Sequence, residues 1–195
     1  MNNQLYNQSP WFTEALNINT NIMDYNVNVP ISLFKSIEGK YFVGTAENLE
    51  FGNATHAWAR LYNPPNSGVN LYVNAWTVSD ILTTPYRIQI WFNSMPPGLI
   101  QYSMSVTPSN LAVRPQTKSQ IQLQYGIVVR GFPTGGVKAY GRNSLAGTTI
   151  VSEEEGKFIF PPGGSFLVFI SNPERPTQPA SGNISFGWWE EPITQ

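Results

Sequence analysis

The sequence predicts an all-β protein, an antiparallel β-sandwich or jelly roll with an extended N-terminal arm. Three observations carry that expectation. Apolar residues recur with a period of two, Pro- and Gly-rich breakers separate the runs, and no stretch carries an apolar 3.6-residue period.

The runs follow in chain order. Val27, Val29, Ile31 and Leu33 alternate with Asn26, Asn28, Pro30 and Ser32. Val69, Leu71, Val73 and Ala75 alternate with Asn70, Tyr72, Asn74 and Trp76, and Tyr86, Ile88, Ile90 and Phe92 with Arg87, Gln89, Trp91 and Asn93. Ile121, Leu123 and Tyr125 are interleaved with Gln120, Gln122 and Gln124. Shorter runs at 40–43, 57–62, 101–107, 157–160, 165–170 and 184–189 complete a set of roughly ten strands. Between them lie 63–68 (NPPNSG), 95–98 (MPPG), 133–136 (PTGG) and 161–164 (PPGG). Proline removes a backbone donor and glycine admits positive φ, so each segment stops a strand and turns the chain. Turns every 10–20 residues are the spacing of a sandwich or jelly roll.

Residues 1–24 differ from the rest and are expected to form an arm, with residues 25–195 as one sandwich domain. The arm is Asn-rich, with apolar anchors at Trp11, Phe12, Leu16, Ile18 and Ile22. Residues 16–19 (LNIN) alternate like an edge strand, and 11–16 have room for one helical turn at most. The anchors pack on the arm's own domain or on a neighbouring subunit, with a disordered tail as the third reading.

Composition excludes several classes of function. Charged residues make up 12% of the chain, about half the usual share, while aromatics reach 13%. A surface rich in Asn, Gln, Ser and Thr repels other copies weakly, which permits chain-to-chain contact. Net charge is −1 and no basic tract occurs, which argues against nucleic acid or anionic lipid as the main partner. Cysteine is absent, so disulfides, a thiolate nucleophile and thiolate metal sites are excluded. The N-terminus has neither the positive nor the apolar segment of a Sec leader, and no apolar run reaches the ~20 residues of a membrane span. The chain is therefore expected to be made in a cytoplasm, to insert in no membrane, and to reach any surface by assembly or lysis.

Catalytic, cofactor and metal residues are not expected. His56 is the one histidine, so an imidazole base has no other candidate, and a His-rich zinc site is excluded by count. Its place in a strand, Thr55-His56-Ala57-Trp58, suits a structural residue. The acidic run Glu153-Glu154-Glu155 lacks the spacing of a calcium loop. Residues 131–138 (GFPTGGVK) have the glycines of a phosphate loop, but Val137 stands where that loop needs lysine.

The tryptophans carry the remaining chemistry. Trp76 and Trp91 are expected on the more polar strand faces, and in Trp188-Trp189-Glu190-Glu191 one indole must face each side of the sheet. Such rings pack in the sandwich, form a subunit interface, or stack on sugar rings.

The stretches Glu38-Gly39-Lys40-Tyr41-Phe42-Val43-Gly44, Asn66-Ser67-Gly68-Val69-Asn70-Leu71, Val151-Ser152-Glu153-Glu154, Pro161-Pro162-Gly163-Gly164-Ser165-Phe166 and Phe186-Gly187-Trp188-Trp189-Glu190-Glu191 stand in an order that carries a resemblance. The chain resembles, from about Val29 to Glu191, a functionally uncharacterised family of spore-forming Gram-positive bacteria of the Bacillus and Clostridium type. The resemblance implies no activity and no catalytic residues. It implies a spore-surface or filament role, because such organisms build appendages from small β-sandwich subunits joined by N-terminal arms. The leading expectation is thus a non-catalytic, self-assembling structural protein whose partner is itself. The alternative is a carbohydrate-binding module using exposed Trp, Tyr and Asn, with an enzyme third.

Overall fold

The computed structural model describes residues 28–81 and 84–193. The chain divides into two units, residues 1–30 and 31–195, and the architecture below is that of the second. The anchors Trp11, Phe12, Leu16, Ile18 and Ile22 lie outside the described residues.

The second unit opens with a correction. The run expected as a strand from Val27 to Leu33 becomes, in its described part, a helix α1 (Ile31–Ile37). Pro30 stands at its entrance, where a missing N–H costs nothing. Gly39 ends it with φ 71°, while Gly39 N donates to Ser36 O and Lys40 N to Lys35 O. That pair of bonds is a Schellman cap, which uses glycine because only glycine adopts positive φ without penalty. An ion pair of Lys35 with Glu38, one turn apart, and a second with Glu191 hold the helix.

Eleven strands follow: β1 (Tyr41–Gly52), β2 (His56–Tyr62), β3 (Val69–Asp80), β4 (Tyr86–Phe92), β5 (Gln101–Tyr102), β6 (Val106–Pro108), β7 (Gln122–Val129), β8 (Val137–Ser144), β9 (Thr149–Phe160), β10 (Ser165–Ser171) and β11 (Pro179–Pro192). They form two sheets with orders β6-β1-β11-β3-β9 and β5-β7-β2-β10-β4-β8, and their pairings are antiparallel. With β5, β6 and β7 set aside, the orders become β1-β11-β3-β9 and β2-β10-β4-β8. That is the strand order of a jelly roll with two Greek keys. The segment between β4 and β8 is an insertion that places β6 outside β1 and β7 outside β2.

All four breaker segments fall between strands, and most of the alternating runs became strands. Strand β8 (VKAYGRNS) was not anticipated, because an exposed edge strand needs no apolar alternation. The core between the sheets is dominated by rings. Phe166 lies within 6.2 Å, centroid to centroid, of Phe92, Phe158, Phe160 and Phe186. Strand β10 is buried at every position, because a second cluster of Trp58, Val129, Leu167 and Phe169 covers its outer side.

The two flanks differ. On one, β5 and β6 are two and three residues long, which leaves little free backbone. On the other, β8 and β9 are long, and β9 is kinked where Glu155 (φ 50°) and Gly156 (φ 75°) take up left-handed conformations. The kink carries the backbone of Gly156 onto the ring of Trp189, whose other neighbour is Tyr72, stacked at 5.3 Å and 8°. A methyl group on Gly156 overlaps that indole, and the positive φ penalises any side chain. Gly156→Ala is therefore expected to lower the unfolding free energy by roughly 2–5 kcal/mol. A urea midpoint that falls at constant m-value checks it.

Candidate binding groove on the outer face of the first sheet

The pairing registers fix which side chains share the outer face of the first sheet. Tyr41 opposes Trp189, Val43 opposes Gly187, and Thr45 opposes Ser185 across β1 and β11. Gly187 opposes Ala75 and Ser185 opposes Thr77 across β11 and β3. One end of this face is therefore aromatic and its middle is small. The difference in height leaves a groove of about 700 Å³, walled by Tyr41 on one side and by Met104 and Val106 of the insertion on the other.

No lining residue carries a charge. The few polar groups are engaged at close range. Asn74 Nδ2 donates to the Tyr41 hydroxyl at 2.8 Å, and Ser185 Oγ donates to Thr45 Oγ1 at 2.9 Å. Burial is the main force pushing the Tyr41 phenol above its ordinary value, so the hydroxyl stays neutral. Gly187 matters here because any side chain would collide with the Tyr41 hydroxyl leaning across it. The groove is open at the insertion, where Met104 is 92% exposed, and on β9 Val151 and Glu153 stand beside its floor, across from Thr77 and Ala75. A groove with these walls accepts uncharged, apolar groups and offers hydroxyls at its margin. It holds no acid–base pair.

The acidic and aromatic residues singled out by the sequence sit elsewhere. Asn74 is an extra residue in β3, where the register shifts against both β9 and β11. A bulge inverts the alternation beyond it. Trp76, expected on a polar face, is for that reason fully buried in the core. Its Nε1 donates to Glu154 Oε1 at 3.1 Å, joined there by Tyr140 Oη at 2.9 Å and Ser152 Oγ at 2.7 Å. Burial raises the Glu154 carboxyl, but the bonds from Ser152, Tyr140, Lys157 and Trp76 outweigh it and hold the group below its ordinary range. Tyr140 is pushed up to about 12, first by burial and then by the Glu154 carboxylate.

Trp188 faces inward and stacks on Phe42, with its Nε1 donating to Glu190 Oε1 at 3.1 Å. Trp189 faces outward yet is only 4% exposed, covered by Tyr72 and the Gly156 kink. Trp91 is half-buried and donates to Gln89 Oε1. So Trp76, Trp188 and Trp189 present no free ring face, which corrects their expected availability for sugars or a partner.

His56 begins β2 and packs its ring 4.9 Å from Phe132 and 5.1 Å from Phe169. Burial lowers its pKa. Among the described residues no group of three or more acidic or imidazole side chains converges as a metal site, and no helix is long and apolar enough to cross a membrane.

An inserted jelly roll whose outer face bears an uncharged groove belongs, by construction, to the β-sandwich proteins. The chain belongs to a family of unknown function (DUF6143), which it matches over residues 16–195. The match begins at Leu16, so it takes in Leu16, Ile18 and Ile22, which the resemblance read from the sequence left outside. No curated protein and no solved structure matches the chain at a significant level.

Two predictions follow from the buried groups. Glu154→Ala leaves the Trp76 and Tyr140 donors without their acceptor, at an expected cost on the order of 3 kcal/mol in chemical denaturation. His56 resists protonation in the fold, so the unfolded chain binds the proton first. Stability is then full above about pH 6.5, the ordinary value of the group, and falls as pH drops below it. His56→Phe should flatten that part of the melting-temperature profile, while the separate loss below about pH 4.5, due to Glu154, persists.

Proposed function

We propose that this protein is a non-catalytic, self-assembling structural subunit, a jelly-roll body joined to its neighbours through its N-terminal arm, in a filament or on a spore surface. The observation that carries this reading is the outer face of the first sheet, where an open apolar groove is lined without a single charge. An open concavity lined without charge suits a partner of matching, uncharged chemistry. Further support comes from the use made of the reactive groups. Glu154 and Glu190 accept indole N–H groups inside the body, and the His56 ring is wedged between two phenylalanines.

The arm supplies the chemistry of the joint. Each of Trp11, Phe12, Leu16, Ile18 and Ile22 contributes roughly 1.5–3 kcal/mol when fully buried, about 10 kcal/mol in all. Ordering the arm costs about 1–2 kcal/mol per residue, a sum at least as large as this gain. One joint is then weak, and a repeated array is strong. The carbohydrate-binding alternative draws less support, since of its four candidate aromatics only Trp91 keeps part of its surface exposed.

Negative-stain microscopy and light scattering of the full chain at increasing concentration test the proposal. Fibres, sheets or discrete oligomers are the expected result, and they should persist in His56→Ala. A monodisperse monomer at every concentration rejects it, and retention on a glycan array by such a monomer restores the alternative.

A further inference from the structure

We propose that the groove on the outer face of the first sheet is the receptor for residues 11–22 of the arm of a second copy of this chain. The inference rests on the assembly reading and names the joint within it.

Chemistry matches the two partners. The groove lining has no charge, and residues 11–22 carry only one, Glu14. The floor is built from Ala75, Thr77, Ser185 and Gly187, small residues that leave room for the larger side chains of an incoming strand. Leu16 and Ile18 alternate with Asn17 and Asn19, so a strand laid on this face turns its apolar side chains to the floor. Its amides then point the other way or reach the hydroxyls of Ser105 and Thr107 at the margin. Buried polar groups need such partners, and the margin supplies them.

Length allows the arm to reach a second copy. Residues 1–27 span up to ~90 Å when extended. A compact body of this size is roughly 40 Å across, so a fully extended arm is long enough to reach a second copy. Its root is α1, and no α1 residue is buried. Ile31, Leu33, Phe34 and Ile37 stay between 45% and 58% exposed, so about half of each apolar side chain at the arm's root is left for a further contact.

The test uses the full chain. A photoreactive benzoylphenylalanine replaces Val43, which is 39% exposed at the groove and outside the core. Batches labelled with 14N and 15N are mixed before irradiation, and the crosslinked peptides are identified by mass. The expected products join position 43 of one chain to residues 11–22 of the other isotope, and Leu16→Asp with Ile18→Asp abolishes them. In a parallel experiment, Val43→Glu and Thr77→Lys should each raise the midpoint concentration of assembly at least tenfold, with the melting temperature unchanged. Crosslinks confined to one isotope overturn the inference, as do crosslinks outside residues 11–22. Assembly that survives both groove variants also overturns it while leaving the assembly reading intact. A chain that never assembles removes both.

Discussion

Burying an indole is favourable only if its N–H finds an acceptor, and that requirement organises this molecule. Trp58 donates to the carbonyl of Pro97, Trp76 to Glu154, Trp91 to Gln89 and Trp188 to Glu190. Three of these acceptors also tie elements of the fold together. Pro97 belongs to the loop that covers the outer side of β10, so the bond from Trp58 fastens that cover. Glu154 joins β9 to Tyr140 of β8, linking the open edges of the two sheets. Glu190 accepts Ser119 Oγ and Gln120 N, which pins the approach to β7 against β11. The sandwich is closed along its flanks by carboxylates and carbonyls that the rings demand.

The same economy explains why so little charge remains for the surface. Of the ten acidic side chains among the described residues, two are buried, and Glu191 is occupied by Lys35 and Lys40 at the foot of α1. The lining of the groove on the first sheet receives none, and Glu153 stands beside it across from Ala75. The character of the lining follows from Gly187, Ala75, Thr77 and Ser185, placed side by side by the β1-β11-β3 register. A face of small uncharged residues gives neither repulsion nor strong hydration to hold another apolar surface away.

Much of the fold was legible in the sequence, because period two and Pro-Gly breakers are local signals. What escaped was each place where one residue changed the count. Asn74 adds a position to β3 and moves Trp76 from the polar face to the core, which no alternation rule foresees. Pro30 and Gly39 bracket α1, and that pairing was readable, but the apolar alternation from Val27 to Leu33 masked it. The groove was hidden for another reason. Thr45, Ala75 and Gly187 lie far apart in the chain, and their adjacency depends on strand order, which local patterns do not encode. The kink that buries Trp189 depends likewise on a glycine 33 positions away.

That kink at Glu155 and Gly156 has a consequence for the company this protein keeps. A straight edge strand offers its peptide groups to any extended chain, since main-chain pairing takes no account of sequence. Here the longest free edge is broken near its middle by two left-handed residues, with Glu153, Glu155 and Lys157 around the break. Foreign or unfolded segments therefore find no uninterrupted template along β9. Any contact made along that edge is decided by side chains, which distinguish one sequence from another, rather than by the peptide groups that every chain shares.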